Sequence, residues 1–171
     1  MTSESAEKRR DREYSWIDPL AVRNQHWELS GLEFVSALAS GDIEHSPIAH
    51  TLGFRVTEAR EGSATIELAP AEFLYNAVGS VHGGAIGAIA DSAMGFAIST
   101  TLPAAVGYTT LDLNIRFLRP VTEETGTINA VGFAEHTGRT TATARAEITD
   151  ADGRLLASAT ARCMILRPDG S

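Results

Sequence analysis

The chain has 171 residues, a net charge of −8 at pH 7, one cysteine and a single lysine, Lys8. This composition disfavours nucleic-acid binding, Schiff-base chemistry and a phosphate-loop lysine, and the lone cysteine excludes an internal disulfide. Because no run of about 18 apolar residues and no secretory signal is present, we expect a cytoplasmic, single-domain protein without a membrane partner.

The N-terminal quarter divides into a polar segment and a helix. Residues 1–28 are rich in charge, and we expect them to be partly disordered. Ser30 and Glu33 then have the spacing of a capping box, and Gly41 offers an end to the predicted helix. Residues 29–46 are therefore interpreted as a helix and linker that cover the main domain; the alternative is a lid over a binding cleft.

Residues 47–167 have the pattern of one α+β domain. Alternating apolar residues between 54 and 68 predict two strands, and small residues with helical period follow from 83 to about 101. Four more strands are predicted, over residues 108–118, 126–136, 139–149 and 154–166. Two strands, a helix and four strands predict an antiparallel sheet that curls around the central helix.

The predicted central helix carries an isolated acid. Asp91 is the only formally charged residue between Glu72 and Asp112, and a buried, unpaired charge is costly. At about 100° per residue, Asp91 lies roughly 120° from the apolar face that should press on the sheet. Small residues flank it, so another backbone or a slim ligand could approach closely. This pattern indicates a working base; the plainer interpretation is an ion pair with an arginine.

The start of the same helix is a second candidate group. Gly83 and Gly84 open it, so their amides are expected to be unsatisfied donors that could stabilise an oxyanion. Asp91 stands about 12 Å further along the axis, at 1.5 Å per residue. One carbonyl cannot meet both groups of one helix, whereas two helices related by a two-fold axis would bring them together. We therefore expect at least a dimer.

These residues resemble the hotdog-fold acyl-CoA thioesterases, in particular the branch of the phenylacetic-acid-pathway thioesterases. The resemblance spans residues 47 to about 166, and it implies an antiparallel sheet wrapped around a long helix, to which this chain adds the N-terminal helix predicted above. It also implies hydrolysis of an acyl-CoA to a free acid and CoA, without metal or cofactor. The shared pattern consists of Asn76, Gly79, His82-Gly83-Gly84, Asp91 and the strand residue Thr110.

The resemblance implies a role for each catalytic position. Gly83 would polarise the thioester carbonyl, His82 would hold its loop and Asn76 would orient the substrate. Asp91 from a partner chain would be general base or nucleophile, with Thr110 positioning the water. Plainer interpretations remain open: His82 could cap its loop, Asn76 could be a turn residue, and Thr110 could be an ordinary strand threonine.

Further predictions concern the ligand. Thr110 is expected to share the polar face of its strand with Asp112, Asn114 and Arg116. Pocket walls are expected from Tyr75, Met94, Ile98 and the neighbouring loop. Gly84 and four arginines are candidate substrate contacts, since a guanidinium suits the phosphates of coenzyme A, although each arginine could be a solvated strand residue. These arginines are Arg116, Arg119, Arg139 and Arg162.

Several alternatives concern function and assembly. His45 and His50 lie in a loop with no third ligand nearby, so no metal site is expected. On the same fold, the chain could be a non-catalytic acyl-CoA sensor, or a dehydratase of 3-hydroxyacyl thioesters. We expect a homodimer or a dimer of dimers whose partner molecule is an acyl-CoA substrate. The identity of the acyl group is left open.

Overall fold

The computed structural model of the protein describes residues 9–167, so residues 1–8 of the segment predicted to be partly disordered lie outside it. Two short 3₁₀ turns, Glu72–Leu74 and Glu123–Thr125, accompany the main elements. The α-helices are α1 (Pro19–Glu28), α2 (Gly31–Ser40), α3 (Pro47–Leu52) and α4 (Gly83–Ser99). The strands are β1 (Phe54–Arg60), β2 (Ser63–Leu68), β3 (Gly107–Phe117), β4 (Ile128–Thr137), β5 (Thr141–Thr149) and β6 (Leu155–Leu166).

The six strands form one antiparallel sheet, and α4 packs on one face of it. The strand order is β1-β2-β4-β5-β6-β3, which leaves β1 and β3 at the edges. The fully buried side chains between the layers come from both of them: Ile89, Met94 and Ile98 on α4, and Ile66, Leu68, Ile128 and Ile148 on the strands. This arrangement confirms the predicted α+β fold with a sheet around a long central helix.

One stripe of α4 lies under the edge strand β3. Gly83, Gly87, Asp91 and Gly95 recur every fourth residue and face Phe117, Leu113, Thr110 and Tyr108 in that order. The helix and the strand therefore run in opposite directions. A Cβ built at Gly95 would lie 2.4 Å from the Tyr108 hydroxyl oxygen, which is closer than side chains approach one another. Close packing against β3 thus explains why a helix tolerates a glycine there despite its poor propensity.

A β-bulge in β3 corrects the predicted polar face of this strand. Thr110 pairs with Cys163 and Asp112 pairs with Arg162, so Leu111 is an extra residue on β3. Because one extra residue reverses which side chains face the helix, Thr110 points toward α4 while Asp112 lies on the outer face. The prediction that Thr110 shares a face with Asp112, Asn114 and Arg116 is therefore wrong.

The N-terminal region contains more structure than was predicted. The capping box of α2 is present, since Ser30 N–H donates to Glu33 at 2.9 Å, and Gly41 ends the helix with φ of 84°. In addition, α1 occupies residues predicted only as a polar segment. Asp18 caps it by accepting from the Leu20 N–H at 2.9 Å, and a proline at its first position suits a helix start.

The extended segment before α1 is attached to the domain through Arg12. Its guanidinium donates to the backbone carbonyls of His50 and Thr51, at the C-terminal end of α3, where a cation is favoured by the helix dipole. The same group lies 3.7 Å from the centre of the Phe73 ring. Within the described residues, no helix has the length and apolar content needed to cross a bilayer.

Candidate active site

The sequence-predicted acid and hydroxyl meet at the middle of α4. The Thr110 hydroxyl donates to the Asp91 carboxylate at 2.8 Å, and the Asp91 side chain is partly exposed. Among the described residues, no arginine forms an ion pair with Asp91, so the alternative of a salt-bridged helix acid is not realised there. A hydroxyl that donates to a carboxylate retains a lone pair, which can accept a hydrogen bond from an attacking water.

Two groups near this pair were not predicted. Cys163 lies on the neighbouring strand with its sulfur 3.9 Å from the Thr110 hydroxyl. Tyr108, on β3, contacts α4 at Gly95, one turn beyond Asp91. Burial and, to a smaller extent, the nearby Asp91 charge raise the pKa of its phenol. The phenol is therefore neutral at physiological pH. The signal in the sequence was the alternation of β3 itself, because Tyr108 and Thr110 are two residues apart and share a face.

The start of α4 has one free amide, not two. His82 is the N-cap, and its Nδ1 accepts from the Gly84 N–H at 2.8 Å. The prediction of an unsatisfied Gly84 amide is therefore wrong, because the histidine ring competes for it. The Gly83 N–H has no acceptor within residues 9–167, and the Phe117 ring covers this glycine. This arrangement assigns the loop-capping role to His82.

Asn76 organises the loop that leads into α4. Its side-chain oxygen accepts from the Val78 and Ser80 N–H groups at 2.9 and 3.3 Å, and its side-chain nitrogen donates to the Ser80 hydroxyl at 3.1 Å. These are the contacts of a turn residue, which was the plainer of its two interpretations. A surface depression borders both Asn76 and Gly83, so the loop lies beside the free amide.

The four predicted arginines are dispersed over the chain. Arg119 lines the depression beside Gly83, and its guanidinium donates to the Leu155 carbonyl. Arg162 pairs with Asp112 at 3.0 Å on the outer face of the sheet, where Arg116 also lies. Arg139 is exposed at the turn between β4 and β5. Only Arg119 therefore lies near the start of α4.

The second feature of the site is a cavity of about 460 Å³ beside the Asp91–Thr110 pair. It lies between the N-terminal helices and the α4–β3 layer, and Thr110 and Ser92 are part of its wall. The predicted walls are wrong: Met94 and Ile98 are fully buried in the core, and the Tyr75 hydroxyl accepts from the Glu123 N–H elsewhere. The walls include Val22, His26, Phe34, Leu38, Phe54, Phe96 and Ser99.

Two histidines of the cavity wall are held in the neutral form. Burial lowers the pKa of His26, whose ring centre lies 4.6 Å from that of Phe34. Burial also lowers the pKa of His45, and the His50 and Arg55 charges add to this effect while Glu44 opposes it. The His45 Nε2 accepts from the Val56 N–H at 2.9 Å, which requires that this nitrogen be unprotonated. The charged residue of the cavity wall is therefore Arg23, which lies at an exposed position of α1.

Sequence comparison gives two matches. Residues 78–157 match a family model described as the thioesterase superfamily. A protein from Halobacterium salinarum that is named as an esterase is 32% identical over 90 residues, which are 50% of this chain and 60% of that protein. The chain therefore spans about three fifths of the length of this curated relative.

Structural comparison gives relatives that are covered almost completely. A phenylacetic acid degradation-related protein from Ralstonia eutropha, named as a thioesterase, is 31% identical with a TM-score of 0.68, over 76% of this chain and 98% of that one. A conserved protein from Pseudomonas aeruginosa is 28% identical with a TM-score of 0.68, over 71% and 95%. The E. coli PaaI protein of the phenylacetic acid degradation operon, at 24% identity, TM-score 0.69 and coverage of 81% and 96%, shares the fold.

Proposed function

Because the chain belongs to the thioesterase superfamily and has the hotdog fold, we propose that it hydrolyses acyl-CoA thioesters to a free acid and coenzyme A. The observation that carries the proposal is the 2.8 Å hydrogen bond from Thr110, which lines a cavity, to Asp91. A carboxylate with a hydroxyl partner and no cationic partner is suited to accept a proton from water.

The reaction follows from these groups. Thr110 and Asp91 hold a water, and Asp91 takes its proton as the water oxygen attacks the thioester carbonyl. The carbonyl oxygen gains the negative charge, and the free Gly83 N–H donates to it. When the C–S bond breaks, the CoA sulfur leaves as a thiolate and takes the proton that Asp91 received from the water, which gives the thiol and restores the carboxylate. Direct attack by the Asp91 carboxylate, through an anhydride, is the other route that this chemistry permits.

The Gly83 amide in this scheme comes from a second copy of the chain. In one chain, Gly83 and Asp91 lie about two turns apart on α4, about 12 Å along the axis. Within residues 9–167, the edge strand β3 has no neighbour on one side, and Leu111 and Phe117 on it are 50% and 51% exposed. Pairing of two β3 edges about a two-fold axis would cover these side chains. Since α4 runs opposite to β3, each helix start would then lie beside the other chain's Asp91.

Coenzyme A is proposed to bind along the depression beside the start of α4. Arg119 borders that depression together with Gly83, and its guanidinium can still offer donors to a phosphate. Arg116 and Arg162, on the outer face of the sheet, and Arg139, at a turn, remain candidates only for contacts through further copies of the chain. A dimer of dimers is the assembly in which such contacts would arise.

The test is release of free thiol from a panel of acyl-CoAs by the wild type, Asp91→Asn and Asp112→Asn. We expect Asp91→Asn to lower kcat by about 10²–10⁴-fold, since it removes the base. Asp112 is the matched control, because it is also an aspartate. It follows the bulge in β3, and its side chain faces away from α4. Its replacement should leave kcat within about twofold of wild type.

Each alternative function gives a different result in the same assay. If no protein releases thiol while all bind the acyl-CoAs, the chain is a sensor and the proposal is wrong. If 3-hydroxyacyl-CoA loses water without release of thiol, the chain is a dehydratase. Equal loss of activity in both variants would remove the specific role of Asp91.

A further inference from the structure

We propose that α1 forms one wall of the acyl-binding pocket, that the pocket holds an acyl group of medium length, about eight carbons, and that Val22 limits its size. This inference rests on the proposed thioesterase function. It concerns the cavity of about 460 Å³ that the N-terminal helices enclose against α4 and β3. A cavity of this size lies within the range of small-molecule sites, about 300–1,000 Å³.

The cavity opens beside the reacting groups. Thr110, the partner of Asp91, forms part of its wall, and so does Ser92, the residue that follows Asp91 on α4. A thioester carbonyl held between Asp91 and an oxyanion donor would therefore direct its acyl group into this space. On the described part of the chain, the other large depression near α4 borders Gly83 and Arg119, and it is the space proposed for coenzyme A.

The length of the cavity follows from α4. Ser92, Phe96 and Ser99 line it at helical spacing, and seven residues correspond to about 10 Å along the axis at 1.5 Å per residue. An extended acyl chain advances about 1.2 Å per bond, just as an extended polypeptide advances about 3.6 Å for the three backbone bonds of a residue. About eight bonds of an acyl chain therefore span about 10 Å.

The cavity wall suits an uncharged acyl group. Phe34, Leu38, Phe54 and Phe96 provide apolar surface, and the charged residue of the wall is Arg23, at an exposed position of α1. A straight acyl chain has no hydrogen-bonding atom beyond its carbonyl, so burial against the apolar side chains is what would hold it.

One wall of the cavity belongs to an attached element. Val22 is the only buried residue of α1, and it lines the cavity with His26, whose ring lies against Phe34. The whole of α1 precedes residues 78–157, which match the family model. This wall of the pocket is therefore supplied by a part of this chain outside the matched residues, where selectivity can vary without change to the reacting groups.

The experiment measures kcat/KM for straight-chain acyl-CoAs from two to fourteen carbons. Val22→Trp adds volume to the cavity wall, so we expect kcat/KM for octanoyl-CoA to fall about 50-fold relative to butanoyl-CoA. Val22→Ala should move the preferred acyl group longer by one or two carbons. Leu20→Trp is the control, since Leu20 lies on the same helix but is 53% exposed and outside the cavity wall; it should leave the ranking unchanged.

A tryptophan that displaced α1 instead of filling the pocket would give the opposite result, a gain for long acyl groups together with faster amide exchange in α1. That result would also identify α1 as the wall. An unchanged ranking of acyl lengths in both Val22 variants would overturn the proposal.

Binding of non-hydrolysable thioether analogues of the same acyl-CoAs separates this proposal from the thioesterase function. Suppose that no thioester is hydrolysed, but that the Val22 variants change the acyl length at which the analogues bind most tightly. The pocket proposal is then supported and the thioesterase function is wrong. If thioesters are hydrolysed and neither kcat/KM ranking nor analogue affinity responds to residue 22, the function stands and the pocket proposal fails.

Discussion

The α4–β3 layer and the N-terminal cap, residues 9–52, are held in different ways. In the layer, a stripe of glycines on α4 contacts the side chains of β3 directly, and the Asp91–Thr110 hydrogen bond lies within that stripe. In the cap, α1 buries one residue, Val22, and its preceding segment is attached through Arg12. The reacting groups thus lie on closely packed elements, whereas the proposed selectivity lies on an attached helix.

This difference predicts unequal tolerance to added volume, with the largest effect at Gly95. Gly95→Ala should destabilise the protein by about 3 kcal/mol, because the new methyl group meets the buried Tyr108 hydroxyl at 2.4 Å. Gly87→Ala is the matched control on the same helix stripe, with its nearest atom, on Leu113, at 3.9 Å. It should be neutral or stabilising by up to about 1 kcal/mol.

Urea unfolding of both variants gives the comparison. Equal stabilities of Gly95→Ala and Gly87→Ala would contradict the close packing of Tyr108 against α4 at Gly95.

A smaller effect is expected in the cap when the pH falls. Burial lowers the pKa of His26 below its usual value near 6.5, so the open state binds a proton that the closed state does not. The stability of the closed cap is therefore complete above pH 6.5, and it declines as the pH falls from 6.5 toward the lowered pKa. Amide exchange in α1 should accelerate over this interval, while exchange in α4 changes less.

His26→Phe should remove most of this acceleration, since it keeps a ring against Phe34 without a titrating group. His136→Gln, at an exposed position of β4, is the control and should retain it. The same pH response of α1 in both variants would show that His26 does not govern the cap.

The α4–β3 layer was largely predictable from the sequence. The isolation of Asp91 among small residues and the two-residue alternation of β3 are local patterns, and they predicted both elements. That Asp91 and Thr110 act on one water was implied by the resemblance to the hotdog thioesterases. The extra residue Leu111 was not predictable in the same way, because a bulge interrupts the alternation without a distinctive residue. The error about Asp112 follows directly from that bulge.

The cap and the cavity were harder to predict for a physical reason. Because α1 buries only Val22, its sequence has almost no apolar periodicity, and its one signal was an aspartate followed by a proline at 18–19. The cavity walls come from elements distant in sequence, so their identity depends on tertiary packing. Likewise, the bond from Gly84 to His82 depends on a side-chain rotamer that residue spacing does not specify.

The most direct test of the shared site uses mixed dimers of Asp91→Ala with a variant in which Gly83 is replaced by a residue that blocks the amide. Each variant alone should be nearly inactive. After random subunit exchange, half of the dimers are mixed and each contains one complete site, so about a quarter of wild-type activity should return. Verified exchange without recovery of thiol release would contradict a site built from Asp91 of one chain and Gly83 of another.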